Sequence, residues 1–574
     1  MARAKQTYIY RDLLAITLLA SLIYFPFLGD CALFDWDEVN FAECARDMLV
    51  SGNYSQVQLN YQMFWEKPPL FIWMQALSMH MFGINEFAAR FPNAVCSIVT
   101  LCSIYLIGNR HASRRFALTW VALYLCSLLP HFYFRTGIID PWFNLFIFLS
   151  LYNFFVSTRV TSYTAAFFAG LTLGAAVLTK GPAALLIAAL TILSYLFLNK
   201  NLKHILSKSF ILFTISTLFF SGLWFLVEWL KGNGHIITAF IDYQIRLLQT
   251  KDAGHGGPFF YHFVVLLIGC FPASLLFILF YRNKNNVSDE HVLFRRLMLA
   301  LFWTVLILFS IVETKIVHYS SLCYFPLTYV ASLALLHLGR FKITPLIKIL
   351  YWIVAGVLAL AAVLVGSIKW LLPWALEKNL VADAFTAANL SANVQWSGIE
   401  LLLPAFFIVA AVAIYKGLVK GNSKTVFVGL AANVAFITVV ILRIIPGAEL
   451  YVQEAPIAFY KACAKHDCNI ETHAFKSYAH LFYSQRKPSD YADAEQQKFI
   501  SKQLDLMVSE GHSRLTSYST ANQLWMEHGI INKPSYIVAK CTNENAFKSL
   551  PYFHKLYSRN GYSFFVRLPD KTAK

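Results

Sequence analysis

Long apolar runs dominate the chain. They lie near 12–29, 87–108, 116–134, 138–156, 163–179, 182–198, 209–230, 258–281, 297–313, 318–338, 346–366, 399–415 and 425–443. A helix needs about 20 apolar residues to cross a bilayer core, so the pattern predicts about thirteen transmembrane helices. The 138–198 region is nearly continuous, broken by a polar turn at 157–162 and by Lys180-Gly181-Pro182. Residues 68–83 are apolar but short, as in a re-entrant or interfacial segment. Residues 38–50 fit a further interfacial helix: Phe41, Ala45, Met48 and Leu49 form one apolar stripe, and Gly52 is a natural stop. Beyond Arg443-Ile-Ile-Pro446 the pattern shortens and mixes. Asn469–His473 and Ser535–Lys540 read as strands and 491–503 as a helix. The predicted fold is an α-helical polytopic membrane protein. Residues 1–443 form the membrane domain, with an outer loop at 30–86, and 444–574 form a small α/β domain.

Composition narrows the class. Of 574 residues, 57% are hydrophobic and 14% charged, against roughly 25% charged in soluble domains. That excludes disorder and an ordinary soluble enzyme. Ten cysteines are too few for a disulfide scaffold. The nearest pair, Cys463 and Cys468, lacks zinc-site spacing. The first span is long and followed by others, so it reads as a membrane helix and not a cleaved signal. Asp30 before Cys31 does not suit a lipoprotein cleavage box.

The net charge of +17 is a topology signal. With the N-terminus inside, the inner loops total 68 residues and hold 20 Lys or Arg, whereas the outer loops total 125 and hold 10. Basic loops stay cytoplasmic. An odd span count then puts 444–574 outside, and no nucleic-acid partner is implied.

Polar groups are costly in a membrane chain, so their positions carry information. Loop 30–86 holds Asp30, Asp35, Asp37, Glu38, Glu43, Asp47, Glu66 and Glu86 against Arg46 and Lys67, among Phe34, Trp36, Phe41, Phe64 and Trp65. A solvated loop would not need those aromatics. Asp37 stands where the interfacial helix begins, and the free amides of a first turn orient a carboxylate. A carboxylate so placed is a candidate general base, with Glu38 beside it. Asp35-Trp36-Asp37 also matches the D-x-D of soluble sugar transferases, but nucleotide sugars are cytoplasmic and this loop is not. In Trp65-Glu66-Lys67-Pro68-Pro69 the prolines fix the backbone and offer Lys67 to an anion such as phosphate. Asp140-Pro141 opens the fourth span on the outer side, as an N-cap or as a second functional carboxylate. Lys180, Arg246, His255, Lys315, His318 and Tyr319 lie on the same face. Acids, cations and hydroxyls thus converge from several loops.

These residues resemble the polyprenyl-phosphate-dependent glycosyltransferases of the GT-C class. The nearest group is the bacterial lipid A aminoarabinose transferases, related to protein O-mannosyltransferases. The resemblance covers about residues 10–340. It rests on Asp37-Glu38, Ala42-Glu43, Met48-Leu49, Glu66-Lys67-Pro68, Asp140-Pro141, Leu178-Thr179-Lys180-Gly181, His255 before Pro258-Phe259, and Lys315 with Tyr319. It implies inverting transfer from an undecaprenyl-phosphate-linked sugar to lipid A, a glycan or a protein, outside the inner membrane. Asp37 and Asp140 take the catalytic positions, with Glu38 adjacent. Lys67 and Tyr319 take donor-phosphate positions, supported by Lys315 or Arg246. Glu66 and His255 match a pair that holds a divalent metal, zinc, in the aminoarabinose enzyme. Asn40 stands where that enzyme has arginine, and Phe64-Trp65 where it has tyrosine and phenylalanine. The competing reading, a flippase of lipid-linked sugars, predicts repeat symmetry and broken midplane helices. Neither is visible in the sequence. Within enzymes, a protein O-glycosyltransferase is the alternative.

Overall fold

The computed structural model describes residues 2–35, 37–64, 66–235, 237–242, 256–283, 292–488, 494–510 and 514–570. Among them, ten helices are long and apolar enough to span a membrane. The pair Tyr261–Gly269 and Ala273–Asn283, bent by 107°, would make an eleventh. Two predicted spans fall short. Ala183–Leu198 has 16 residues. The 116–134 run divides into Arg114–Leu125 and Leu128–Tyr133. At Ser127 the hydroxyl bonds back to the Leu123 carbonyl, 2.9 Å away, and Pro130 follows. A 12-residue helix rises only about 18 Å. The bend in 258–281 falls at Pro272, which has no N–H to continue a helix. At the composition shift near Arg443 the last span does not stop: it runs from Ser423 to Val452 through Pro446.

Ten helices build the site and its surroundings. The first span α1 (Ala2–Tyr24) leads to α2 (Asp37–Ser51), a two-residue-strand hairpin β1 (Gln58–Leu59) and β2 (Gln62–Met63), and α3 (Leu70–Phe82). Then come α4 (Glu86–His111), α5 (Arg114–Leu125), α6 (Leu128–Tyr133), α7 (Asp140–Val160), α8 (Tyr163–Lys180), α9 (Ala183–Leu198) and α10 (Lys208–Leu230). The predicted interfacial helix is α2, closed at Gly52 with φ +70°, a conformation glycine adopts without strain. The apolar segment at 68–83 is α3, which ends at Gly83 with φ +80°.

The C-terminal domain is a four-stranded sheet in the order β3 (Asn469–His473), β4 (Ser535–Lys540), β6 (Tyr562–Arg567), β5 (Phe553–Arg559). β3 and β4 are parallel and the other pairs antiparallel. Both strands read from the sequence occur with those bounds, and the predicted helix is Ala494–Ser509. The domain shares a hydrophobic core with the first outer loop: Val39, Phe41 and Phe71 cluster with Tyr460, Leu481 and Phe564. Loop 30–86 and the C-terminal domain therefore lie on one side of the helix bundle.

Candidate active site

Asp37 is the first residue of α2 and its side chain is 44% exposed. Its neighbour Glu38, one helical step round, is buried. The Glu38 carboxylate accepts from Arg90 Nε and Nη2, 2.8 Å each, from the Phe34 amide at 2.7 Å, and from the Gly137 amide. Arg90 also donates to the carbonyls of Leu28, Cys31 and Ala32 at 2.7–3.0 Å. Both Glu38 oxygens are thus occupied by internal donors. Glu38 thereby ties the turn before Asp37 to the loop before Asp140. A buried ion pair of this kind is expensive to break.

The same loop is fixed from behind. Asn93 Nδ2 donates to the Thr136 and Ile138 carbonyls, 2.6 Å each, and Gln75 Nε2 to the Ala89 carbonyl at 2.8 Å. A Cβ on Gly137 would meet the Ala89 carbonyl at 3.0 Å, Gln75 at 3.1 Å and Glu38 at 3.2 Å, so glycine allows this approach. Asp140 then opens α7 with Pro141 in its first turn, where proline is well tolerated. Asp140 is 3% exposed. Its Oδ1 takes a 2.6 Å hydrogen bond from Lys180 Nζ at the end of α8. The sequence had placed Lys180 on this face but not paired it with Asp140. Lys180 also stands over the Tyr319 ring, 5.0 Å from its centroid.

Lys67, Asp140, Asn144, Lys180 and Tyr319 line a cavity of about 250 Å³ together with the apolar side chains of Leu186, Ile187, Phe309 and Val312. Three residues predicted for the site, Lys67, Asp140 and Tyr319, therefore meet. Lys315 does not join them. The residue is 6% exposed, and its ammonium donates to the carbonyls of Phe309, Ser310 and Val312, capping the helix Val292–Ile311. Burial pushes its pKa below the ordinary lysine value. A helix C-terminus offers unpaired carbonyls, and a lysine a few residues beyond satisfies them. Arg246 and His255 lie outside the described residues. Burial, and after it nearby acids including Glu66, push up the pKa values of Cys44 and Tyr478. Among the described residues no three His, Cys, Asp or Glu side chains converge to hold a metal.

The turn before Asp37 is held by the C-terminal domain. The Leu33 amide donates to the Tyr483 hydroxyl at 2.8 Å, Ser477 Oγ to Asp35 Oδ1 at 3.0 Å, and Gln453 Nε2 to the Leu33 carbonyl at 3.2 Å. Further along α2, Arg46 is 2% exposed and pairs with Glu43 and Asp47. It also donates to the Arg486 carbonyl at 2.8 Å. The sequence contained the motif residue Glu43 and the acidic excess, but pairings separated by more than 400 positions leave no local signal.

The chain is similar to several known proteins. Residues 66–227 match the family described as dolichyl-phosphate-mannose-protein mannosyltransferase. The chain is 27% identical over 394 residues to an uncharacterized protein of Aquifex aeolicus (strain VF5), covering 66% of this chain and 76% of that one. It is also 27% identical over 325 residues to the undecaprenyl phosphate-alpha-4-amino-4-deoxy-L-arabinose arabinosyl transferase of Wigglesworthia glossinidia brevipalpis, covering 55% and 57%. The match thus spans little more than half of that relative. Over nearly its whole length, 96% against 97%, the chain superposes on ArnT from Cupriavidus metallidurans bound to undecaprenyl phosphate. The TM-score is 0.70 at 17% identity. The chain has the fold of that structure. It is a multi-pass membrane protein, and the GT-C resemblance of residues 10–340 extends through the C-terminal domain.

Proposed function

We propose that this GT-C protein transfers a sugar from an undecaprenyl-phosphate-type donor to an envelope acceptor, with inversion at the anomeric carbon. The observation that carries the reading is the cavity itself: two lysines, a tyrosine and Asp140 in its lining together with apolar side chains suited to a prenyl chain, and Asp37 facing Asp140 across His318. Lys67, Lys180 and Tyr319 neutralise the phosphate as it leaves, which is where charge develops. Asp140 holds Lys180 in place. Asp37 takes the proton from the acceptor hydroxyl. The oxygen–hydrogen bond of the acceptor breaks, its electron pair forms the new glycosidic bond, and the carbon–phosphate-oxygen bond breaks with its electrons leaving on the lipid phosphate.

The named relative supports an aminoarabinose-type sugar and the superposed structure an undecaprenyl-phosphate donor, and the sequence resemblance supports lipid A as acceptor. Loop charge supports an inner membrane location with the N-terminus cytoplasmic and the site and C-terminal domain outside. Arg246 belongs to the same outer loop region and is a further phosphate candidate, and Glu66 with His255 a metal candidate. The test is mass spectrometry of lipid A and envelope glycans from a strain lacking the protein, complemented with wild type or with Asp37→Asn. One glycan addition should vanish in the deletion and return with the wild type alone. Identical spectra from all strains would overturn the reading.

A further inference from the structure

One side chain faces both aspartates. His318 Nε2 lies 3.8 Å from Asp37 Oδ2 and 3.8 Å from Asp140 Oδ2. The histidine is 13% exposed at its side chain and is the second residue of the turn Val317–Cys323 that leads into the helix Tyr324–Leu336. That turn is tied to the helix carrying Asp140. Asn144 Nδ2, one turn after Asp140, donates to Ser321 Oγ at 2.7 Å, and Ser321 Oγ donates to the His318 carbonyl. Tyr133 and Tyr319 stand edge-on to the imidazole, with centroids 6.2 and 5.4 Å away, and set its plane. His318 and Asp140 therefore form one fixed unit, whereas Asp37 is the half-exposed member on a different helix. Asp140 Oδ2, which also faces the imidazole, is buried and makes no hydrogen bond among the described residues.

The geometry points to His318 as the positioning residue for Asp37, an inference that rests on Asp37 being the base. Its Nε2–H donates to one Asp37 oxygen in the complex with both substrates, so that the other oxygen faces the acceptor hydroxyl. A separation of 3.8 Å is outside hydrogen-bond range, roughly 2.7–3.2 Å, and closing it needs a shift of under about 1 Å. Hydrogen bonds that serve catalysis are commonly long before substrates arrive. The acceptor's proton ends on Asp37, and His318 neither gains nor loses one.

The experiment compares purified wild type, His318→Leu, His318→Gln and Asp37→Asn, with undecaprenyl-phosphate-linked aminoarabinose as donor and lipid A as acceptor. Binding of undecaprenyl phosphate alone is measured in parallel. Losing a hydrogen bond to a charged group should lower kcat about 10- to 150-fold in His318→Leu, with donor KM and undecaprenyl phosphate affinity unchanged. Gln presents an amide N–H near the place of Nε2, so His318→Gln should recover most of the rate. If the leucine variant does not fold, His318→Asn, whose amide falls short of Asp37, replaces it. Wild-type turnover in the leucine or asparagine variant would overturn the proposal. So would a glutamine variant no better than leucine, or a loss that appears in donor affinity instead of kcat. Asp37→Asn separates the two levels of failure. If it too turns over normally, the assignment of the base is wrong. If it is inactive while His318→Leu is not, only the role of His318 falls.

Discussion

Residue chemistry alone does not separate Lys67 from Lys315 in the resemblance. Lys67 and Lys315 are both cations following a charged or polar turn, yet one lines the cavity and the other caps a helix. Their substitutions should therefore diverge. Lys67→Met keeps the stem and removes the charge, so undecaprenyl phosphate affinity should fall about 10- to 150-fold, the worth of a charge-assisted hydrogen bond. Lys315→Met should leave that affinity near wild type and lower the melting temperature instead, because three carbonyls lose their donor. Lipid-phosphate binding and thermal unfolding in one detergent read both effects. The reverse pattern would return Lys315 to the phosphate. Asp37 and Glu38 pose the same problem. They are adjacent carboxylates, and a helical step of about 100° sends one to solvent and the other into Arg90. Sequence shows the pair, but the long-range partners decide which oxygen is available.

At the scale of elements, the site depends on how two loops are pinned together. Much of this was legible. The apolar stripe from Phe41 to Leu49 and the stop at Gly52 gave α2 to within one residue at each end. Asp140-Pro141 marked the start of α7. Span lengths were less legible, because an apolar run does not reveal where a serine bonds back to its own helix or where Pro272 turns the chain. The pairing of Lys180 with Asp140 was also hidden, since it joins the end of one helix to the start of another, 40 positions apart. Gly137 is the most exacting point of the loop. In Gly137→Ala the added methyl would press on the Ala89 carbonyl, Gln75 and Glu38 together. Overpacking of this kind costs about 1–3 kcal/mol. The expected result is a lower melting temperature and reduced turnover, through displacement of Asp37 and Asp140. An alanine variant with wild-type melting and turnover would show that the loop is not tightly held.

For the whole molecule, the C-terminal domain acts as part of the site's support, since Tyr483, Ser477 and Gln453 hold the turn that presents Asp37. Its own integrity rests partly on Glu471. Burial opposes ionisation of this carboxyl, but Arg486 and then His480 outweigh burial and hold it at about 2, below the ordinary 4.5. A carboxylate with a depressed folded pKa stabilises the fold above the unfolded pKa and loses that contribution as pH falls through the folded value. Stability of the domain should hold above pH 4.5 and decline between 4.5 and about 2, and Glu471→Gln should flatten that decline. Thermal unfolding of the two full-length proteins across this range checks it. Equal pH dependence would remove Glu471 from the account.

The central claim is that the outer-face cavity moves a sugar off a lipid phosphate with Asp37 as base. Its most direct test is the release of undecaprenyl phosphate from undecaprenyl-phosphate-linked aminoarabinose by purified protein in the presence of lipid A, followed by mass spectrometry. Wild type should release it with equal appearance of sugar on the acceptor. Asp37→Asn should be at least about 100-fold slower, the usual share of general-base catalysis, with the donor still bound. Release at the wild-type rate by Asp37→Asn would contradict the account.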